Sequence, residues 1–340
     1  MIILGIETSC DETSVGIIRA DKKNGKVEVL ANVVASSLSL HAKTGGIIPE
    51  IAAREQVKYI IPAIEKAFKN LNNAREEIDA IAVTIGPGLI GSLLVGVETA
   101  RAIAYAWKKP LISVNHLFGH IYANWIKQEN DNQIEFPVVA LIVSGGHTDL
   151  VLIKNHGDIK WLGGTRDDAA GEAFDKCGKV MGFTYPAGPL IDKLAGEGNK
   201  NAFRFSKPHI KGLDFSFSGL KTSFLYFLRD RLKEDSDFIE HNKVDLCASL
   251  QHTIISILIG KIVNASLQTG IREVGIAGGV SANSGLRSEM KKEAEKRNWN
   301  LFIPEFRYTT DNAAMIGITG YYKYLRGEFS GHDVTPLARY

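Results

Sequence analysis

Two histidines stand four residues apart in the segment NHLFGH, at residues 115–120. Residues i and i+4 of a helix share one face, so His116 and His120 could hold one metal ion. The alternative is that both are packing and hydrogen-bonding residues of a half-buried helix. Gly119 favours the metal, because glycine weakens a helix interior by about 1 kcal/mol and its presence suggests that something approaches closely.

A third ligand could come from Asp311 in the segment TTDNAAMIG, just before a predicted helix, where a helix-capping role is the alternative. Two imidazoles and one carboxylate leave coordination positions open, and iron or zinc would both suit such a set. Zinc proteases with the pattern H-E-x-x-H use the glutamate as a general base. Here Leu117 takes that position, which disfavours hydrolysis and favours the holding of a substrate oxygen.

Three polar or glycine-rich turns could surround an oxyanion. They are SCDET at 9–13, VSGGHT at 143–148 and GIAGGVSANSGLR at 275–287. Glycine admits positive φ, and a strand–turn–helix junction offers unpaired N–H groups. Each turn alone is explained by tight turning, whereas three of them in one α/β chain favour a nucleotide cleft.

The elements that must position these residues show a weak internal repeat. Strand–turn–strand units are predicted at residues 2–20 and 138–154, each followed by alternating helices and strands, including a helix with Pro49 in its first turn. This pattern is typical of a duplicated α/β protein with two similar lobes. We expect a first lobe at 1–107 with 315–340, and a second lobe at 108–314 that carries the metal and most of the nucleotide site.

Composition excludes several classes of protein. The 340 residues are 45% hydrophobic and 23% charged with a net charge of +2, so neither a disordered nor a strongly nucleic-acid-binding composition is present. Three cysteines without a CxxC pair favour a reducing cytosol. The N-terminus lacks the features of a signal peptide, and Gly86-Pro87-Gly88 interrupts the longest uncharged run, so we expect a cytoplasmic protein without a membrane span.

A series of motifs resembles a known family over nearly the whole chain. The chain is similar to the tRNA threonylcarbamoyladenosine synthase family of the TsaD type, formerly called O-sialoglycoprotein endopeptidase, and its loop lengths resemble the bacterial branch. The motifs, in order, are GIETSCDET, HAKTGGIIPEIAARE, GPGLIGSLLVG, NHLFGH, LIVSGGHT, DDAAGEAFDK, GPLIDKLA, FSFSGLKT, GGVSANSGLR and TDNAAMI.

The resemblance implies a fold, a reaction and a set of site residues. The fold is the duplicated two-lobe actin/Hsp70/sugar-kinase-like (ASKHA) fold, with a nucleotide cleft between the lobes. The reaction is transfer of threonylcarbamoyl from threonylcarbamoyl-AMP to the N6 amine of adenosine 37 in tRNAs that read codons beginning with adenine. The metal ligands are His116, His120 and Asp311, with iron the usual assignment. The substrate contacts are Ile142, Val143, Ser144, Gly145, Gly146, Asp175, Gly188, Asp192 and Asn283.

Several points stay open at the level of sequence. No residue identifies itself as the base, and Asp11 and Glu12 are the candidates. Gln56 stands where histidine is common in the family, and Ala187 where glycine is usual. The resemblance implies a TsaB-like paralogue and a TsaE-like ATPase as partners, with ATP, ADP or AMP binding in the same cleft. An ATP-dependent kinase or ATPase on the same fold, a metalloprotease and a non-enzymatic scaffold are the alternatives.

Overall fold

A computed structural model describes residues 1–21, 25–69, 71–126, 134–208 and 210–339. Helices and strands alternate along the chain as the sequence predicts, and short 3₁₀ turns cover Ala123–Trp125, Gly279–Ala282 and Phe306–Tyr308. In chain order the elements are β1 (Ile2–Glu7), β2 (Glu12–Ala20), β3 (Val27–Ser36), α1 (Leu38–Thr44), α2 (Pro49–Phe68), α3 (Ala74–Glu77), β4 (Ala80–Gly86), α4 (Ile90–Trp107), β5 (Leu111–Asn115), α5 (His116–Tyr122), β6 (Val138–Val143), β7 (Thr148–Asn155), β8 (Asp158–Gly164), α6 (Ala170–Val180), α7 (Gly188–Ala195), α8 (Ser218–Leu232), α9 (Phe238–His241), α10 (Lys243–Thr269), β9 (Glu273–Ala277), α11 (Ser284–Arg297), β10 (Asn300–Phe302) and α12 (Ala313–Leu325).

The chain divides into two compact units. The first unit comprises Met1–Asp131 with Pro304–Tyr340, and the second comprises Asn132–Ile303. The sequence-based boundaries differ, since they assign 108–131 and 304–314 to the second lobe. In the structure β5 pairs with β4, and α5 packs against α12, so both segments and all three candidate metal ligands lie in the first unit.

The two units contain sheets of the same topology. In the first unit the strand order is β3-β2-β1-β4-β5, and in the second it is β8-β7-β6-β9-β10. The first three strands of each unit pair antiparallel, and the remaining pairings are parallel. This confirms the predicted duplication and both predicted hairpins. The carboxyl ends of the parallel strands meet at one edge of each sheet, where ligands bind in open α/β sheets.

Small residues let α12 pack tightly on the first sheet. A Cβ added to Gly5 or Gly16 would overlap the backbone of Ala313 at the start of α12. The Ser14 hydroxyl accepts a hydrogen bond of 2.8 Å from the Ala313 N–H, which fixes the beginning of the helix over β2. Because Asp311 is two residues before Ala313, the sheet also fixes the position of Asp311.

Helix α8 is the main element absent from the sequence analysis. Its buried residues Leu220, Phe224 and Leu228 have the i, i+4, i+8 spacing of a helix face, so the signal was present. Its start is held by Asp167, whose carboxylate accepts hydrogen bonds from the N–H groups of Phe217 and Ser218.

Helix α10 is the one helix of the described residues that is long and apolar enough to cross a membrane. In its most apolar window 61% of the residues are buried inside the protein, and core helices of soluble proteins have the same length and composition.

Candidate active site

The candidate metal ligands converge in the first unit. Helix α5 begins at His116, and the Asn115 side chain caps it by accepting hydrogen bonds from the N–H groups of Leu117 and Phe118. His116 and His120 are both buried, and each offers one ligand atom within 4.8 Å of the others and of an Asp311 oxygen. The structure thus brings the two histidines together with an aspartate that lies almost 200 positions further along the chain.

Asp311 does not cap α12. The N-cap is Asn312, whose side chain accepts a hydrogen bond from the Met315 N–H. The capping role considered for Asp311 is therefore wrong.

Gly119 is explained by helix packing. A Cβ there would come within 2.8 Å of Ile316 Cδ1 on α12, so glycine allows α5 and α12 to approach each other. What approaches Gly119 is this helix, and the residue carries no independent argument for an ion.

The distances between the ligand atoms fit a single ion. Asp311 Oδ1 lies 3.5 Å from His116 Nε2 and 3.2 Å from His120 Nε2. Ligands at about 2.1 Å from a tetrahedral ion would be about 3.4 Å apart. Both ring nitrogens of His120 are buried, and neither makes a hydrogen bond to any residue that the structure describes. Buried polar atoms normally have partners, and a cation bound beside Asp311 would give His120 Nε2 one.

Glu7 is a site residue that the sequence analysis missed. Glu7 is the last residue of β1, and its side chain is fully buried. Its Oε2 lies 3.1 Å from His116 Nδ1. Burial opposes protonation of His116, but the carboxylates of Glu7 and Asp311 outweigh it and raise the pKa of His116 to about 9. The motif GIETS contains Glu7, but nothing in the local pattern separates it from Glu12 as a candidate.

Asp11 and Glu12, the candidate bases, lie in the acidic surroundings of Asp311. Burial, followed by the charges of Asp311 and Asp11, raises the pKa of Glu12 to about 10. The same causes raise the pKa of the Cys10 thiol. The Oδ2 atom of Asp11 is buried without a hydrogen-bond partner in the described part of the chain. These carboxyl groups would all be stabilised by a cation beside them.

The candidate substrate loop lies at the end of β6 in the second unit. Ile142 and Val143 are buried in the strand, Ser144 is half-buried, and Gly145 and Gly146 are exposed. Neither glycine has a φ in the left-handed region, so this turn does not use the positive φ that glycine allows. A Cβ at either position would have no described heavy atom within 4 Å, so the backbone is open to a ligand.

Glycines of neighbouring elements instead shape this loop. A Cβ on Gly278, which has a φ of 88°, would overlap Val143, because β6 and β9 are adjacent parallel strands. A Cβ on Gly171 would lie 2.6 Å from the Ser144 oxygen, and the Gly171 N–H donates a hydrogen bond to that oxygen. The start of α6 is therefore held directly against the loop.

The other predicted substrate contacts are tied to backbone and side-chain groups of the second unit. Asp175 Oδ1 accepts hydrogen bonds from the N–H groups of Ala187, at 2.8 Å, and Gly188, at 3.4 Å. Burial raises the pKa of Asp175 although these N–H groups oppose the shift. A Cβ added at Gly188 would have only Phe174 Cβ, at 3.8 Å, among the described atoms within 4 Å. The methyl group of Ala187 fits here because Gly178, which lies opposite it, has no Cβ.

Asp192 and Asn283 meet at the start of α11. Both oxygens of Asp192 accept hydrogen bonds from Ser284, one from its N–H and one from its hydroxyl. Asn283 caps α11 through Leu286 N–H and donates a hydrogen bond of 2.7 Å to Gln251. Asp175, Asp192 and Asn283 therefore shape the loops around them, and their contacts with a substrate remain a prediction.

Solved structures with the same architecture define the class. The chain is similar to the T. kodakarensis protein HypF, with a TM-score of 0.61 and 15% identity over 96% of this chain and 48% of that one. It is also similar to component A of the Acidaminococcus fermentans (R)-2-hydroxyglutaryl-CoA dehydratase, with a TM-score of 0.54 and 16% identity over 96% and 99% of the two chains. The sheet topology and these likenesses define a two-unit α/β protein of the ASKHA type.

Sequence comparison identifies the family within that class. The model of the tRNA N6-adenosine threonylcarbamoyltransferase family, TsaD, matches residues 28–318, and the chain belongs to this family. Bacterial relatives of that name are 51% identical in Porphyromonas gingivalis, over 100% of this chain and 98% of the relative, and 53% identical in Phocaeicola vulgatus, over 99% and 98%. A relative from Caldicellulosiruptor bescii is 45% identical over 98% and 96%.

Proposed function

We propose that this protein is the enzyme that transfers the threonylcarbamoyl group of threonylcarbamoyl-AMP to the N6 amine of adenosine 37 in tRNAs reading codons that begin with adenine. One observation carries the proposal: His116, His120 and Asp311 converge within 4.8 Å in a chain whose full-length relatives are named tRNA N6-adenosine threonylcarbamoyltransferases. The kinase or ATPase and metalloprotease alternatives are not favoured by the comparisons.

The second unit would bind the nucleotide part of the donor. Asp175 and Asp192 can accept hydrogen bonds from ribose hydroxyls, and Asn283 offers both a donor and an acceptor. Gly188 leaves room for a nucleoside to approach the backbone. The exposed turn at Gly145 and Gly146 would present N–H groups to the phosphate. AMP is a good leaving group, so positioning matters more here than acid catalysis.

The first unit would bind one divalent ion, for which we propose iron, with zinc as the alternative. When bound, such an ion supplies a Lewis acid for oxygens of the threonylcarbamoyl group. His116, His120 and Asp311 would hold it, and burial of the two histidines would limit access of water. Asp11 and Glu12 stay the candidates for the base; a pKa of about 10 keeps Glu12 protonated at neutral pH, so it could accept a proton only where a bound cation lowered that pKa.

The proposed partners are tRNA, a TsaB-like paralogue and a TsaE-like ATPase, in the cytoplasm. For the paralogue we propose an apolar surface on helices α2 and α4, which pack together where Gly91 meets Ala53. This surface consists of the exposed residues Val57, Ile61, Ile90 and Leu94. An apolar patch on adjacent helices is typical of an interface with another protein. Ile61→Glu should prevent co-purification with the paralogue and leave the metal content unchanged.

One reconstitution separates the proposed reaction from its alternatives. The protein is supplied with tRNA, threonine, bicarbonate, ATP, a threonylcarbamoyl-AMP synthase and the partner proteins, and modified adenosine is quantified by mass spectrometry. We expect His116→Ala to lower transfer by at least ~100-fold, whereas the matched control His241→Ala, at an exposed ion pair, has no effect. Full transfer by His116→Ala would contradict the metal role, and phosphate release from ATP without tRNA modification would support the kinase or ATPase.

A further inference from the structure

The buried Glu7 carboxylate is anchored on both oxygens. Its Oε1 accepts a hydrogen bond of 2.6 Å from the Ser9 N–H. Its Oε2 accepts one of 2.5 Å from the Thr84 hydroxyl and lies 3.1 Å from His116 Nδ1. Thr84 is on β4, the parallel neighbour of β1, so the sheet itself fixes the position of the carboxylate beside the imidazole.

This arrangement determines which nitrogen of His116 is available to a ligand. A carboxylate is only an acceptor, so the hydrogen bond to Glu7 requires the proton on Nδ1. In the neutral imidazole that binds a metal, the other nitrogen, Nε2, then carries the lone pair, on the side of Asp311 Oδ1, 3.5 Å away. Metal-binding histidines commonly donate their second ring N–H to a carboxylate, which fixes the tautomer and the ring orientation.

We propose that Glu7 is a positioning residue that holds His116 in the tautomer and orientation in which Nε2 binds the metal. The inference rests on the proposed metal site and adds a residue to it. Glu7 itself lies behind the imidazole, on the side away from Asp311, and acts through His116. The Ser9 hydroxyl, 3.2 Å from His116 Nδ1, is a weaker second anchor of the same ring.

Two nearly isosteric variants separate positioning from a merely structural role. In Glu7→Gln the amide carbonyl can still accept from Ser9, but its NH₂ group faces Thr84 and His116. His116 Nδ1 then loses its carboxylate acceptor and faces an amide donor, and only the Ser9 hydroxyl could still accept from it; this favours the ring proton on Nε2, where it opposes metal binding. In Thr84→Val the same buried carboxylate loses one hydrogen bond, but the bond to His116 remains.

Zinc is the probe, because it is diamagnetic and suits this ligand set. Zinc affinity is measured on the full-length metal-free protein by competition with a chromophoric chelator, and ¹⁵N-histidine NMR spectra of the zinc-loaded protein report which ring nitrogen of His116 carries the proton. We expect Glu7→Gln to weaken zinc binding by about 10–100-fold and to lose the Nδ1–H signal. We expect Thr84→Val to stay within about 3-fold of wild type and to keep that signal.

Zinc binding by Glu7→Gln as tight as wild type, or an equal loss in Thr84→Val, would overturn the positioning role. If the expected pattern appears but the metal-loaded wild type modifies no tRNA, the positioning role stands and the proposed function fails. If the wild type modifies tRNA and binds no zinc or iron, the positioning role is overturned while the reaction stands.

Discussion

The turns after β1 and β6 occupy the same topological position in the two units, and they differ in nearly every physical property. Both contain four residues, 8–11 and 144–147. The first is polar, acidic and mostly buried, whereas the second has two exposed glycines. The duplicated sheet places a turn at each edge, and the residues in that turn decide whether the edge favours a cation or presents backbone N–H groups to an anion.

The two turns are also fixed by different means. A single amide in α2 holds the first: Gln56 Nε2 faces the carbonyl oxygens of Cys10 at 2.9 Å, Glu12 at 3.0 Å and Thr8 at 3.4 Å. The second is closed by its own residues, since Ser144 N–H donates to the His147 oxygen and His147 N–H to the Ser144 hydroxyl. A buried acidic turn needs outside donors, whereas a short glycine turn closes itself.

The largest expected effect tests whether the first unit binds the metal and the second binds the nucleotide. His120→Ala should weaken metal binding by more than the ~10–100-fold typical of outer-shell changes, and it should leave AMP affinity within about 2-fold. Asp192→Ala should weaken AMP binding by about 10-fold, which is about 1.4 kcal/mol, and retain the metal. Metal analysis and calorimetric AMP titration of both variants measure this. Loss of metal in Asp192→Ala, or of AMP binding in His120→Ala, would break the comparison.

The glycines of the two sheet edges provide the second test. Gly5→Ala should destabilise the protein by about 3 kcal/mol and lower metal affinity, because the new Cβ would overlap the Ala313 backbone and displace Asp311. Gly145→Ala should change stability by less than about 0.5 kcal/mol, because its Cβ would point into open space. Urea unfolding of both variants gives the values, and equal stability losses would contradict the packing argument.

The third test concerns the anchor of the acidic turn. Gln56→Leu should destabilise the protein by about 2 kcal/mol, because it leaves buried carbonyl groups without their donor. Gln56→His should lose less stability, since an imidazole N–H can replace one of the bonds. Denaturant titrations compare the pair, and a tolerated Gln56→Leu would show that the turn does not depend on this amide.

The smallest effect is a pH dependence of stability at Glu12, the residue that follows the acidic turn. Glu12 has a pKa near 10 in the folded, metal-free protein against an ordinary value of 4.5, so the folded state holds this proton more tightly. The resulting stability is complete below pH ~4.5 and is lost as the pH rises toward 10. In the presence of a metal chelator, Glu12→Gln should therefore have a higher Tm than wild type at pH 9, by about 2–4 °C for each kcal/mol of stability gained. Identical melting curves from pH 6 to 9 would contradict the raised pKa.

Local sequence patterns determined most of the elements and one part of the site. The i, i+4 spacing of His116 and His120 follows from helix geometry, and the helix forms as predicted. Pro49 opens α2 because its fixed φ suits the first turn. Asp311 became a ligand candidate from its residue type and the family motif. These inferences succeed because helix and turn geometry depends on neighbours within a few residues.

Only the tertiary structure decided which distant residues and backbone segments contact the site. Glu7 and His116 are 109 positions apart, and no local pattern pairs them. Gly119 predicts that something approaches the helix closely, and the structure shows that this is α12. Of the glycines in the predicted turns, Gly278 adopts a positive φ, whereas Gly145 and Gly146 do not. Such contacts depend on the order of strands in the sheet and the approach of one backbone to another, and these are set by the packing of the whole unit.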